Sequence, residues 1–353
     1  MKDSNLQEKN KFKSQFSKKR IVFAILLSIG FTAFLYIREL NENSAGFSSL
    51  SWTVKTFLFL FLGLIMMAIR DLAYMIRLRL LTDRKLNWKK TFNVIMLWEF
   101  ASALSPGVVG GSVAAAFIIQ QEKIPLGKST AIVMVASLLD NLFYLLLIPI
   151  VLFWISFSDL FPADLVWLNS IGMQLFWLGY GILLVVNAIF FTSIFFSPRI
   201  MTTLIKYIFM LPIIRRFQKK ADKISNDFVV ASKEMRGKRF KFWLKTFAAT
   251  SMSWIARFLV LNFTIAAFIQ LNFIDHLLIL GRQLVVWLIM IISPTPGGSG
   301  MAEFLFSEIY LDYIVASGLS AISLALIWRT LSYYPYLIIG SFILPKWLSK
   351  RKL

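Results

Sequence analysis

Apolar positions along the chain gather into long runs with hardly a charge among them. "IVFAILLSIGFTAFLYI" (21–37), "TFLFLFLGLIMMAI" (56–69), "AIVMVASLLDNLFYLLLIPIVLFWI" (131–155) and "LFWLGYGILLVVNAIFFTSIFF" (175–196) are the clearest. Most reach the roughly 20 residues that cross the hydrocarbon of a bilayer. The pattern predicts an all-α polytopic membrane protein, with full spans over about 21–38, 52–70, 128–157, 171–197, 246–270 and 313–341. The stretch 70–90 mixes Leu, Tyr and Met with Arg and Lys and reads as an amphipathic elbow at the membrane surface.

Two further apolar stretches are interrupted. "SPGVVGGSVAAAF" (105–117) divides 93–123 into limbs too short to cross comfortably, and "SPTPGGSGMAEFLF" (293–306) divides 277–312. Each stretch begins and ends on one side by the count of spans, so each is predicted to be a re-entrant helical hairpin. The breaks share Ser-Pro, a short spacer and Gly-Gly-Ser, and they enter from opposite faces. That is the sequence signature of an inverted-topology repeat, in which interrupted helices meet near the midplane around a binding site.

Charge adds the orientation. The chain carries 38 Lys and Arg against 18 Asp and Glu. The basic residues concentrate in 1–20, 70–90, 198–245 and 346–352. By the positive-inside rule both termini and the long basic loop at 198–245 face the cytoplasm, in the cytoplasmic (inner) membrane. The division that follows is a basic N-terminus (1–20), one transmembrane domain (21–345) and a basic tail (346–353). Anionic inner-leaflet lipids account for the excess charge, and no nucleic-acid partner is expected. The first apolar run lacks a cleavage site after it and is expected to remain as a helix. Self-association into a homo-oligomer is left open.

Composition narrows the chemistry. Cysteine is absent and His276 is the single histidine, so neither a thiolate metal site nor a conventional zinc site is expected. No Walker A pattern occurs. No cofactor, metal or enzymatic activity is expected, since a nucleophile or metal cluster is not in view.

Candidate binding residues lie at the breaks and within the spans. Pro294 and Pro296 end one helix, Gly297 and Gly298 permit the turn, and Ser299 is placed to cap the next. Gly110, Gly111 and Ser112 take the corresponding positions upstream. A helix N-terminus at membrane depth is tolerated only in a protein interior or a wet cavity, where it suits an anion. The same glycines also fit close helix packing. Glu303 lies one turn into the renewed helix, where the dipole stabilises it; it either holds the structure or meets a cationic group or proton. Asp140, Arg257 and Arg329 interrupt spans and are read as site residues or as partners in buried ion pairs. Glu99 and Arg282 are read as near enough to an interface to snorkel.

"SPTPGGSGMAEF", followed by Arg329 and "LSYYPYLIIG", resembles the motif region of the lysylphosphatidylglycerol synthase transmembrane (flippase-like) family. "ASALSPGVVGGSVAAAF" with Asp140 looks like the upstream element of that family. The resemblance spans about residues 20–342. It implies movement of phospholipids, or lipids with modified head groups, between leaflets, with membrane lipid as substrate. The matching positions are Pro294, Pro296, Gly297, Gly298, Glu303 and Arg329, with Asp140 and Arg257 beside them. The upstream element departs from the family in lacking charged residues after its proline. No transferase domain follows, so the chain is not expected to make aminoacyl-lipids. The other transport reading is a secondary transporter of a small anionic solute.

Overall fold

The structure is a computed structural model that describes residues 46–105, 107–161, 172–210, 218–290, 298 and 300–349, with scattered positions between 30 and 38. The predicted span at 21–38 and the break residues Pro294, Pro296, Gly297 and Ser299 therefore fall largely or wholly outside the described residues. The described residues are helical, with no strand among them.

The helices, in chain order, are α1 (Val54–Leu81), α2 (Trp88–Leu104), α3 (Gly107–Gln120), α4 (Leu126–Trp154), α5 (Met173–Phe195), α6 (Pro198–Met210) and α7 (Gln218–Arg236). They continue as α8 (Phe240–Ala266), α9 (Phe273–Met290), α10 (Met301–Ile309), α11 (Leu311–Ala316), α12 (Ala321–Ser332) and α13 (Tyr334–Ser349). By length and composition six segments are able to cross a membrane: α1, α4, α5, α8, α9 and the consecutive α12–α13. Large apolar side chains such as Phe57, Phe61, Phe153, Leu178 and Val185 point outward from these helices, as a lipid solvent requires.

Local chemistry sets several ends. Thr53 caps α1 in a reciprocal box with Thr56, whose hydroxyl also reaches the Ala267 carbonyl at the end of α8 (3.3 Å). Asn87 caps α2, and Ser320 caps α12 by accepting from the Ser323 amide (3.1 Å). α1 and α8 run antiparallel in contact, from Thr56 beside Ala267 to Arg77 beside Thr250. Where α13 crosses α2, Gly340 lies on the Phe100 ring, and an added Cβ would overlap it.

Two antiparallel hairpins stand out. In α2–α3, Lys90 pairs with Glu122 at the open end (3.8 Å), and Gly111 sits against Ser102 at the closed end. In α9–α10, Tyr313 donates to Asp275 (2.9 Å), Tyr310 to the Ile279 carbonyl (3.1 Å), and Gly298 packs on Met290 at the tip.

Three expectations change. The first half of the amphipathic elbow at 70–90 is not a surface element: α1 continues unbroken to Leu81, and Arg70 and Arg77 are only 1% and 5% exposed, while 83–85 and 87–90 are exposed. Carboxylates from other helices make that burial tolerable, as described below. The first limb of the downstream hairpin is 18 residues long, about 27 Å, and so long enough to be counted as a span. The last span starts at Ala321 rather than near 313, after a turn at Gly318 with φ +68°, and it breaks at Tyr333. The basic loop at 198–245 is largely helical, and its helix α7 lies against α4, close enough at Gly127 to exclude a Cβ.

Candidate functional site

The closed ends of the two hairpins face a common cavity of about 220 Å³. Hairpin α2–α3 contributes Glu99, Ser102 and Ala103; hairpin α9–α10 contributes Gln283, Trp287 and Ala302 among others. Arg257 enters from α8, Arg329 from α12, Tyr333 from the break before α13, and Tyr336 from the first turn of α13. The rest of the wall is mainly apolar and aromatic, including Phe258, Phe306 and Trp328.

At the tip of α9–α10, Gly298 and Gly300 take φ +68° and +82°, a region open to glycine and strained for other residues. The Gly300 amide donates to Glu303 Oε2 (2.8 Å), and Arg329 Nε donates to Oε1 (3.0 Å). Glu303 is fully buried. Its carboxylate thus closes the first turn of α10 and ties the hairpin to α12. Arg329 in turn lies over the Tyr333 ring (3.8 Å), and the Tyr333 hydroxyl donates to the Ala103 carbonyl of the other hairpin (3.1 Å). A continuous chain of contacts therefore joins the two tips: Gly300, Glu303, Arg329, Tyr333 and Ala103.

A second network descends α1. Arg70 pairs with Asp71 (2.9 Å) and with Glu99 (2.8 Å), and the Tyr336 hydroxyl donates to Asp71 (2.8 Å). One helical turn on, Tyr74 lies between the guanidinium groups of Arg70 (4.8 Å) and Arg77 (4.7 Å). Arg77 pairs with Asp140, which also accepts from Trp254 Nε1 (2.7 Å).

Of the residues singled out from sequence, Arg257, Arg329 and Glu99 come together at the cavity; Glu303 does not line it and meets it through Arg329. Asp140 does not line it; both of its recorded partners, Arg77 and Trp254, lie in the helix packing beneath. Gly111 is a packing residue, since an added Cβ would strike Ser102, and neither it nor Ser112 lines the cavity. Gly110 lies on α3, and nothing is described of its surroundings. The snorkelling expectation for Glu99 is corrected: it is held by Arg70, a buried partner that turns it inward. Arg282 is held bidentately by Asp312 (2.6 and 2.7 Å), whose side chain is 42% exposed, and by the Ile309 carbonyl (2.9 Å).

Arg70, Asp71, Arg77 and Tyr336 were missed as site elements. The spacing of Arg70, Tyr74 and Arg77 at i, i+4 and i+7 placed them on one face of a helix and was the available signal. Two of the carboxylate partners, Glu99 and Asp140, are distant in sequence.

Arg257 differs from every other arginine of the bundle core. Arg70, Arg77, Arg282 and Arg329 each engage a carboxylate; Arg257 engages none among the described residues, and its recorded contact is with the Trp254 ring (5.2 Å). It is exposed within the cavity rather than packed. Among the described residues no group of three or more His, Cys, Asp or Glu is placed to hold a metal.

A chain whose described residues are helical, with six candidate spans and outward apolar faces, is a polytopic integral membrane protein. More narrowly, residues 21–340 match the family described as the lysylphosphatidylglycerol synthase TM region, and the chain belongs to that family. A protein of Archaeoglobus fulgidus described as a UPF0104 membrane protein is 22% identical over 335 residues, covering 91% of this chain and 94% of that one. No solved structure matches.

Proposed function

We propose that this protein moves a phospholipid, or a lipid with a modified head group, between leaflets of the cytoplasmic membrane. The head group passes through the cavity between the hairpin tips while the acyl chains stay in the bilayer. Membership of a family described by a lipid-synthase membrane region supports a lipid-related role. The observation that carries the reading is the guanidinium of Arg257, which contacts no carboxylate among the described residues, in a cavity walled mainly by apolar and aromatic groups. Its donors are held in no contact ion pair there, so they are open to an anionic group that arrives from outside. A lipid phosphate supplies that group, and Arg binds it with charge-assisted hydrogen bonds.

The volume fits the same reading. About 220 Å³ falls below the usual range of roughly 300–1,000 Å³ for sites that enclose a whole small ligand. It accommodates a head group and excludes two acyl chains. In this reading the two hairpins are re-entrant, related as an inverted repeat, and both termini are cytoplasmic. The protein acts as a carrier rather than an enzyme.

Proteoliposomes containing fluorescent phospholipids on one leaflet test the proposal against empty vesicles. Exchange should be faster with protein and should fall roughly 10–100-fold in Arg257→Ala, the loss of one charged hydrogen bond of about 1.5–3 kcal/mol. If a soluble anion crosses while lipid exchange equals that of empty vesicles, the protein is a solute transporter instead.

A further inference from the structure

The fixed charges around the cavity balance as they stand. Arg70 meets two carboxylates, Asp71 and Glu99, which leaves one negative charge in excess. Arg257, which also lines the cavity, offsets it. The other charges here come in opposite pairs: Glu303 with Arg329, and Arg77 with Asp140. Resting on the reading that Arg257 receives a lipid phosphate, a consequence follows. Once an anion occupies Arg257, the excess negative charge of the Arg70 cluster has no counterweight, and the walls around it are largely apolar.

We infer that Glu99 takes up a proton when an anionic head group binds at Arg257, so that lipid and proton cross together as a neutral unit. Glu99 is the carboxylate placed to do this. It lines the cavity, its side chain is 22% exposed, and Oε1 alone is engaged, by Arg70. Oε2 accepts no hydrogen bond from the described residues and is free for a proton. Glu303 has both oxygens occupied and no exposure, and Asp71 does not line the cavity.

The groups facing Glu99 come from four elements. α1 presents Arg70, Asp71, Tyr74 and Arg77; α8 presents Arg257; α12 presents Arg329; and Tyr333 and Tyr336 flank the break into α13. Of these, only Arg257 changes partners when an anion enters, so it is the switch that sets whether Glu99 is charged. The proton is drawn from water on the loading side and returned to water on the other. No covalent bond other than O–H forms or breaks. An asymmetry of pH across the membrane then drives an asymmetry of lipid.

Purified protein in detergent tests the coupling directly. Short-chain dihexanoyl phosphatidylglycerol is titrated into weakly buffered protein, with bound lipid and released or absorbed protons measured together. The wild type should absorb about one proton for each lipid bound, as linkage requires when a single group changes its affinity for protons. Glu99→Gln should absorb none per lipid bound. Zwitterionic dihexanoyl phosphatidylcholine should give no uptake in either protein. Binding of the anionic lipid to wild type without uptake overturns the inference, as does equal uptake with the choline lipid, and neither result needs the variant to fold. In proteoliposomes, labelled phosphatidylglycerol should accumulate in one leaflet under an imposed pH gradient and redistribute when a protonophore is added. Movement faster than in empty vesicles but indifferent to the gradient defeats the coupling and leaves lipid translocation standing. No movement above empty vesicles defeats translocation itself, and the coupling with it.

Discussion

The pair of Glu303 and Arg329 permits a quantitative test of how the downstream tip is held. Glu303 is fully buried and the Arg329 side chain is 6% exposed, with Nε and Oε1 3.0 Å apart. Neutralising one member leaves the other as an uncompensated buried charge, for which the loss is about 3–5 kcal/mol. Glu303→Gln keeps an oxygen for the Gly300 amide but points an NH₂ group where Arg329 also donates. Arg329→Met strands the carboxylate in turn. Replacing both together removes the stranded charge, so Glu303→Gln with Arg329→Met should lie within about 1–3 kcal/mol of wild type, the cost of an amide left partly unsatisfied. Equilibrium unfolding in mixed micelles, followed by helical circular dichroism, gives the four corners of the cycle. Each single variant should be less stable than the double. Losses that add to within about 0.5 kcal/mol would show that the two groups do not interact and would falsify the assignment of the pair as the clamp. Lipid exchange should be lost in each single variant at temperatures where the protein remains folded, because Arg329 also carries Tyr333 and through it the Ala103 carbonyl of the other hairpin.

Two further outcomes follow from the same geometry. Asp140→Asn strands Arg77, which is 5% exposed, and should lower stability by about 3–5 kcal/mol; melting in detergent checks it, and a midpoint equal to wild type would mean that Arg77 finds another partner. Gly298→Leu forces a side chain into a φ of +68° and onto Met290, a backbone penalty of about 1–2 kcal/mol before the overlap is counted. It should abolish exchange, and unaltered exchange together with an unaltered melting midpoint would make the tip a simple filler loop.

The membrane class was legible at once, because spans declare themselves by uninterrupted apolar length and need no partner. Two of the expected spans reappear with ends shifted by two or three residues, 128–157 against Leu126–Trp154 and 171–197 against Met173–Phe195, and 246–270 begins six residues earlier, at Phe240. Both broken stretches fold as antiparallel hairpins where Pro and Gly cluster, whereas the single prolines Pro149 and Pro345 lie within helices. α1 was misjudged from Arg70 onward. Arg and Lys just beyond an apolar run ordinarily lie at the membrane surface, and only Glu99 and Asp140, 29 and 63 residues away, turn Arg70 and Arg77 inward.

The role of each ionisable residue was likewise beyond the reach of the sequence. Glu303, Asp140, Arg257 and Arg329 are equivalent there: single charges inside apolar helices. Folding separates them by what each one meets. Glu303 closes a turn and clamps a helix, Asp140 neutralises Arg77 beneath the cavity, and Arg257 faces open space without a carboxylate among the described residues. Hydrophobic length and helix-breaking residues are properties of a segment alone, so the sequence by itself determined that this chain spans membranes and where its helices break. Electrostatic pairing is a property of distance between segments, and only the tertiary structure decided which of these charges meet a carboxylate and which does not.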